Sequence, residues 1–249
     1  MNATVNRRVF VASVAAGLPT LVGAAHGVAA PVSRGHDHAM SRDAVLDHVV
    51  QELAVIHNRG KRRGFTGEDA RAVAAQLRTA AVRSTQIDLD AAARKGVQQL
   101  IGSRGRDAVL AIEIDRAKMH AQLKRDGIDV EERWFAAGVL DEETRRRALD
   151  ALTSGGVTGV LNHGAGVFEK LGSAIDRSAP STAGVRRVQF EDPRISSICW
   201  QIAGEIAMLW GQVGPICEAS AFVPELQSTC GALLATLAAY YAMYWMFCG

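Results

Sequence analysis

Residues 199–248 read CWQIAGEIAMLWGQVGPICEASAFVPELQSTCGALLATLAAYYAMYWMFC and hold all four cysteines of the 249-residue chain. Seventeen residues separate Cys199 from Cys217, twelve separate Cys217 from Cys230, and seventeen separate Cys230 from Cys248. In an α-helix a step of about eighteen positions is five turns, so the second cysteine of each flanking segment returns to the face of the first about 27 Å along. On the first segment that face also carries Ile202, Ala203, Ile206, Trp210 and Val213, with Gln201, Glu205 and Gln212 opposite, an amphipathic pattern. On the second, Leu233, Leu234, Leu237, Tyr241 and Tyr244 share the cysteine face, while Ala232, Ala235, Ala239, Ala242 and Met246 make the opposite face apolar too.

Folding the two segments antiparallel about a turn containing Pro224 brings Cys217 near Cys230 and Cys199 near Cys248, the nested pairing expected here. Of the three connectivities open to four cysteines, a Cys199 to Cys217 link is excluded by five helical turns, since disulfide Cα atoms must lie within about 7 Å. The crossed arrangement is less economical across a twelve-residue loop. Gly214 and Pro215 are expected to end the first helix before Cys217, because proline lacks the ladder N–H, which would place the Cys217–Cys230 bond in the turn.

Charge divides the chain. It carries 28 Lys and Arg against 26 Asp and Glu, a net +2, yet residues 195–249 contain only Glu205, Glu218 and Glu225 and no cation. The tail is therefore −3 and the remainder +5 (28 − 23). A tail without Lys or Arg is unsuited to nucleic acid, which draws most binding energy from cations on phosphates. Hydrophobic content of 48% with 22% charge is that of a folded protein, and aromatics at 6% leave a core of small aliphatic side chains.

The chain opens MNATVNRRVFVASVAAGLPTLVGAAHGVAAPVS, a basic step followed by an apolar run from Val9 to about Ala25 interrupted by Gly17 and Pro19. This reads as a signal peptide over residues 1–29, cleaved after Ala29, with a membrane anchor or a buried first helix as the other readings. Arg7, Arg8 and Phe10 resemble the twin-arginine export signal, although Asn6, Val11 and Ala12 depart from its pattern. The resemblance implies the export machinery as a partner, folding before translocation and a secreted or cell-surface location. Export also fits four cysteines, since disulfides persist in oxidising compartments.

After a polar linker (30–40) the region 41–177 reads as all-α. Ser41 is the expected cap of a helix carrying Val45, Leu46, Val49, Val50, Leu53 and Ile56, which ends near Asn58 to Gly64. Thr66 with Asp69 forms a capping box for a helix through Val73 and Leu77 to about Arg83. Further periodic segments run from about Asp88 to Ile101, Arg106 to Arg125 and Asp129 to Ala137, and Asp141 caps a short helix through Ala148 and Leu152. The glycine-rich stretch from Ser154 to Gly172 lacks the strand and lysine of a phosphate loop and reads as a small-residue helix that packs closely or inserts weakly into a membrane. With its caps and no cysteine, this region is expected to fold alone. Residues 178–194, SAPSTAGVRRVQFEDPR, read as a linker in which Arg186 and Arg187 offer a cleavage site, and residues 195–249 form the four-cysteine hairpin. The expected architecture is a helical bundle-like middle followed by a disulfide-linked helical hairpin.

No residue pattern points to catalysis, a cofactor or a metal. His36, Asp37 and His38 are adjacent in a linker and do not preorganise a site; His48, His57, His120 and His163 are isolated in sequence. Glu113 and Asp115 point to different helix faces, no serine sits in a nucleophile elbow, and no Cys-x-x-Cys is present.

A twin-arginine signal, a cysteine-free helical region, a linker and a charge-poor, cysteine-bearing helical tail together resemble the precursors of halocin-type bacteriocins. That resemblance is one of layout and implies that the tail is released as a killing peptide while the middle acts as its immunity part; the chain's four cysteines lack the family's paired patterns. Two functions are expected from different classes: a membrane-active hairpin with a membrane or membrane-protein target, or a secreted, non-enzymatic helical structural or binding protein.

Overall fold

A computed structural model describes residues 43–131, 141–178 and 193–248. The signal peptide with Arg7, Arg8 and Phe10, the linker 30–40, the Ser41 cap and the Arg186–Arg187 pair lie outside the described residues, as does most of the segment 129–137. Among the described residues there are eight helices and no strand: α1 (Ala44–Arg63), α2 (Gly67–Gln86), α3 (Leu89–Arg104), α4 (Arg106–Leu110), α5 (Arg116–Arg125), α6 (Glu142–Ser178), α7 (Pro193–Ala219) and α8 (Leu226–Phe247). The fold is all-α, as expected, with the disulfide-linked hairpin formed by α7 and α8.

Local side-chain caps start several of the helices. Asp43 caps α1 by accepting the backbone N–H groups of Val45 and Leu46. Its backbone N–H in turn donates to Ser228 Oγ at the start of α8, so α1 and α8 begin side by side. Thr66 and Asp69 form the capping box of α2, each side chain accepting the other's backbone N–H. Asp141 accepts the Thr144 N–H at the start of α6.

Several elements differ from expectation. The segment 106–125 is two helices, α4 and α5, because Asp115 caps a fresh start by accepting from the N–H groups of Ala117 and Lys118. Far from being short, α6 absorbs the glycine-rich stretch and runs to Ser178, broken at Gly156, whose φ of 71° is left-handed. There Asp90 of α3 receives the Thr158 N–H at 2.8 Å and caps the second half. A Cβ on Gly156 would lie 2.4 Å from the Asp90 carboxyl carbon, so only glycine fits. Pro215 does not end α7, which continues to Ala219 and keeps Cys217 on the helix. The glycines near it serve packing: a Cβ on Gly211 would strike Ala148 of α6 at 2.5 Å, and one on Gly214 would meet Ile112 at 3.1 Å. Burial of Ile216 and Ala219 beyond the proline offsets the lost hydrogen bond.

The hairpin does not stand apart from the middle region. Helix α8 packs on α7 and α1 and touches α5, α2 and α3, while α7 packs on α6 and α3 and α2 lies along α6. One continuous core holds Leu46, Val49 and Leu53 of α1, Leu77 of α2, Leu100 of α3, Phe168 of α6, Ile202 and Val213 of α7 and Leu237 of α8. Every residue from Ala232 to Met243 is buried. A helix apolar all round is the expected composition of a central core helix, and α8 is that helix.

Candidate functional site

The hairpin is held at both ends by covalent bonds. Cys199 near the start of α7 is joined to Cys248 at the end of α8 with Cα atoms 5.7 Å apart, and Cys217 to Cys230 with Cα atoms 5.0 Å apart. Both separations fall in the range disulfides require, and the pairing is the nested one expected from the spacing. The described residues contain no free cysteine. Between the bonds, Trp210 Nε1 donates to Tyr241 Oη at 2.5 Å, and the two rings meet edge to face. Burial pushes the Tyr241 hydroxyl's pKa up, against the opposing hydrogen bond from Trp210 and the field of Arg116, whose guanidinium lies 5.9 Å from the Trp210 ring centre.

The expected solvent face of α7 is only partly in solvent. Gln201 is exposed, but Gln212 is buried because α7 is wrapped by α3, α6 and α8, and Gln212 Oε1 finds no hydrogen-bond partner among the described residues. Glu205 is mostly covered, and His163 of α6 reaches it with Nε2 2.8 Å from Oε1. Burial pushes the Glu205 carboxyl up, and the field and hydrogen bond of His163 pull against that shift. Tyr240 stands inward from this pair, 1% exposed, its ring tilted against Phe168 at 4.4 Å. Burial, with the nearby Glu205 charge, holds its hydroxyl well above the usual range. Its oxygen finds no partner among the described residues, with Leu77 of α2 and Gly164 of α6 close by.

Sequence reading set His163 aside as isolated and placed Glu205 on a solvent face. The signal that connects them is weak: Glu205 is the one charged residue of α7 between Arg194 and Glu218, and its partner is 42 positions away on α6. The arrangement joins α6 to the hairpin through an imidazole–carboxylate contact whose histidine side faces solvent. Among the described residues no three His, Cys, Asp or Glu side chains cluster as a metal site.

At the turn end of the hairpin Phe222 is 46% exposed, and at the Cys199–Cys248 end Trp200 and Trp245 are 78% and 41% exposed. Met246 beside Trp245 accepts the Phe65 N–H on its sulfur at 3.1 Å, tying the end of α8 to the α1–α2 turn. The geometry thus presents an uncharged helix, covered along its length and showing aromatics at its ends. The chain matches no family model, no curated protein and no solved structure.

Proposed function

We propose that this protein is an exported precursor whose disulfide-clasped hairpin acts on membranes once freed, and whose middle helices keep it covered until then. The observation that supports this reading is the placement of α8. It is a 22-residue helix without a charge, long and apolar enough to cross a membrane, and 72% of its most apolar window is buried inside the bundle. Removing α1 and α5 from it uncovers an apolar surface that water does not tolerate, and a bilayer is the natural place to bury it. The covering helices then serve in the role that the middle part of a halocin-type precursor has.

A leakage assay tests this. The intact oxidised chain is expected to leave dye-loaded vesicles sealed, whereas the hairpin cut from it within residues 178–194 and separated with its disulfides intact is expected to release the dye. Neutral and anionic vesicles should leak alike, because residues 195–249 carry no Lys or Arg to favour anionic lipid. A second reading, a secreted structural or binding module, is favoured by the continuity of one core through both halves of the chain. A freed hairpin that leaves both kinds of vesicle sealed would select it.

A further inference from the structure

The two disulfides differ in what can reach them. Cys199 and Cys248 are 5% and 4% exposed and sit inside the core. Cys217 and Cys230 are both half-buried, and Cys230 forms part of the wall of a half-open pocket of about 460 Å³ between α1, α5 and the hairpin turn. The walls of that pocket are mostly polar: Asp47 and Gln51 come from α1, Gln122, Arg125 and Asp126 from α5 and its end, and Gln227 from α8. The Asp126 carboxylate is engaged by the Gln122 amide at 2.9 Å, and Arg125 Nη2 donates to Gln122 Oε1 at 2.6 Å. A wetted polar recess admits a charged attacking group without stripping its water, which a buried sulfur does not permit.

We propose that the Cys217–Cys230 bond is a thiol-exchange site for a dithiol reductant, addressed through this pocket. The proposal does not rest on the membrane reading. A reductant thiolate attacks Cys230 Sγ and forms a mixed disulfide, and the electron pair of the old S–S bond leaves on Cys217 Sγ, which then takes a proton from water. The reductant's second thiol, as thiolate, attacks its own sulfur in the mixed disulfide and expels the Cys230 thiolate, which is protonated in turn. The reductant departs as a cyclic disulfide; two electrons have passed to the protein. Arg125 is the one cation among the lining residues and offsets the carboxylates of Asp47 and Asp126, so its charge lowers the repulsion that an incoming thiolate meets. Reduction there leaves the helices in place, because Ile216, Ala219 and Leu226 remain buried around the turn and the Cys199–Cys248 bond stays shut.

The test uses the intact oxidised chain in neutral buffer without denaturant. Limiting dithiothreitol is added, timed samples are trapped with N-ethylmaleimide, and each cysteine is read by peptide mass spectrometry while circular dichroism follows helix content. Labelling of Cys217 and Cys230 is expected to run at least about tenfold ahead of Cys199 and Cys248, with helix content retained. Arg125→Glu, an exposed position, should slow the first pair several-fold and leave the second pair's rate unchanged. Equal rates at the two bonds, faster labelling of Cys199 and Cys248, or labelling of Cys217 and Cys230 only as helix content is lost would each overturn the proposal.

Discussion

Asp69 shows how much one side chain settles. It is fully buried, caps α2 through Thr66 and receives Arg59 Nε at 2.9 Å, with Arg63 a second guanidinium at 3.4 Å. Burial pushes its carboxyl up, but the hydrogen bonds from Thr66 and Arg59 together outweigh burial and hold it below its ordinary value of 3.8. A carboxyl whose folded value lies below its unfolded one stabilises the fold above pH 4 or so and loses that contribution as pH falls through the folded value. Asp69→Asn is therefore expected to cost about 2 kcal/mol at pH 7, in urea unfolding, and the gap from the parent should narrow below about pH 4 as the parent's carboxylate protonates. Tyr240 predicts the opposite sign. Its buried hydroxyl is unpaired among the described residues, and an orphaned buried polar group costs about 1–3 kcal/mol. Tyr240→Phe keeps the ring on Phe168 and is expected to raise stability by about 1 kcal/mol, seen as a higher urea midpoint with an unchanged slope.

At the scale of the elements, what could be read from sequence was what is local. The Thr66–Asp69 box, the Cys199–Cys217 and Cys230–Cys248 spacings and the apolar stripe of α1 each involve residues within a few turns, and each specifies its own geometry. Asp43 replaced Ser41 as a described cap through the same chemistry two positions on. The break at Gly156 was not readable, because the group that caps the helix after it is Asp90, 68 residues earlier than Thr158. Nor was the passage of α7 through Pro215, since Gly211 and Gly214 look like terminators until Ala148 and Ile112 are found against them. His163 and Glu205 were missed for the same reason: a side-chain contact between distant helices leaves no spacing to detect. Two predictions belong here. Gly156→Ala must accommodate both a left-handed φ and a clash with Asp90, and is expected to cost about 2 kcal/mol or more in thermal or urea melts. The two disulfides should differ as well: sequence separations of 49 and 13 give loop-closure contributions of about 4 and about 3 kcal/mol. Paired serine variants are expected to rank in that order, and a Cys199/Cys248 variant that melts with the parent would show that the core alone holds the two helices together.

For the whole molecule, the sequence suggested two parts and the structure has one core. The apolar run from Gly231 to Cys248 is visible in the sequence, but nothing within it says that α1 covers it. Leu46, Val49, Val50 and Leu53 of α1 are buried in a core built by α8 as well as by α2. A fragment of residues 40–178 is accordingly expected to lack a cooperative melt and to bind a hydrophobic dye, contrary to the independence that its caps suggest. Sharp, reversible unfolding of that fragment would restore the two-part view.

Each helix that packs on α8 precedes it in the chain. A nascent polypeptide leaves the ribosome at about 5–20 residues per second, so α1 emerges well before the helix that fills the space beside it is made. Until then its leucines and valines have no permanent neighbour, and the early chain must be kept from self-association by other proteins or by transient contacts of its own. The native packing around α8 therefore forms only once α8 itself has been made.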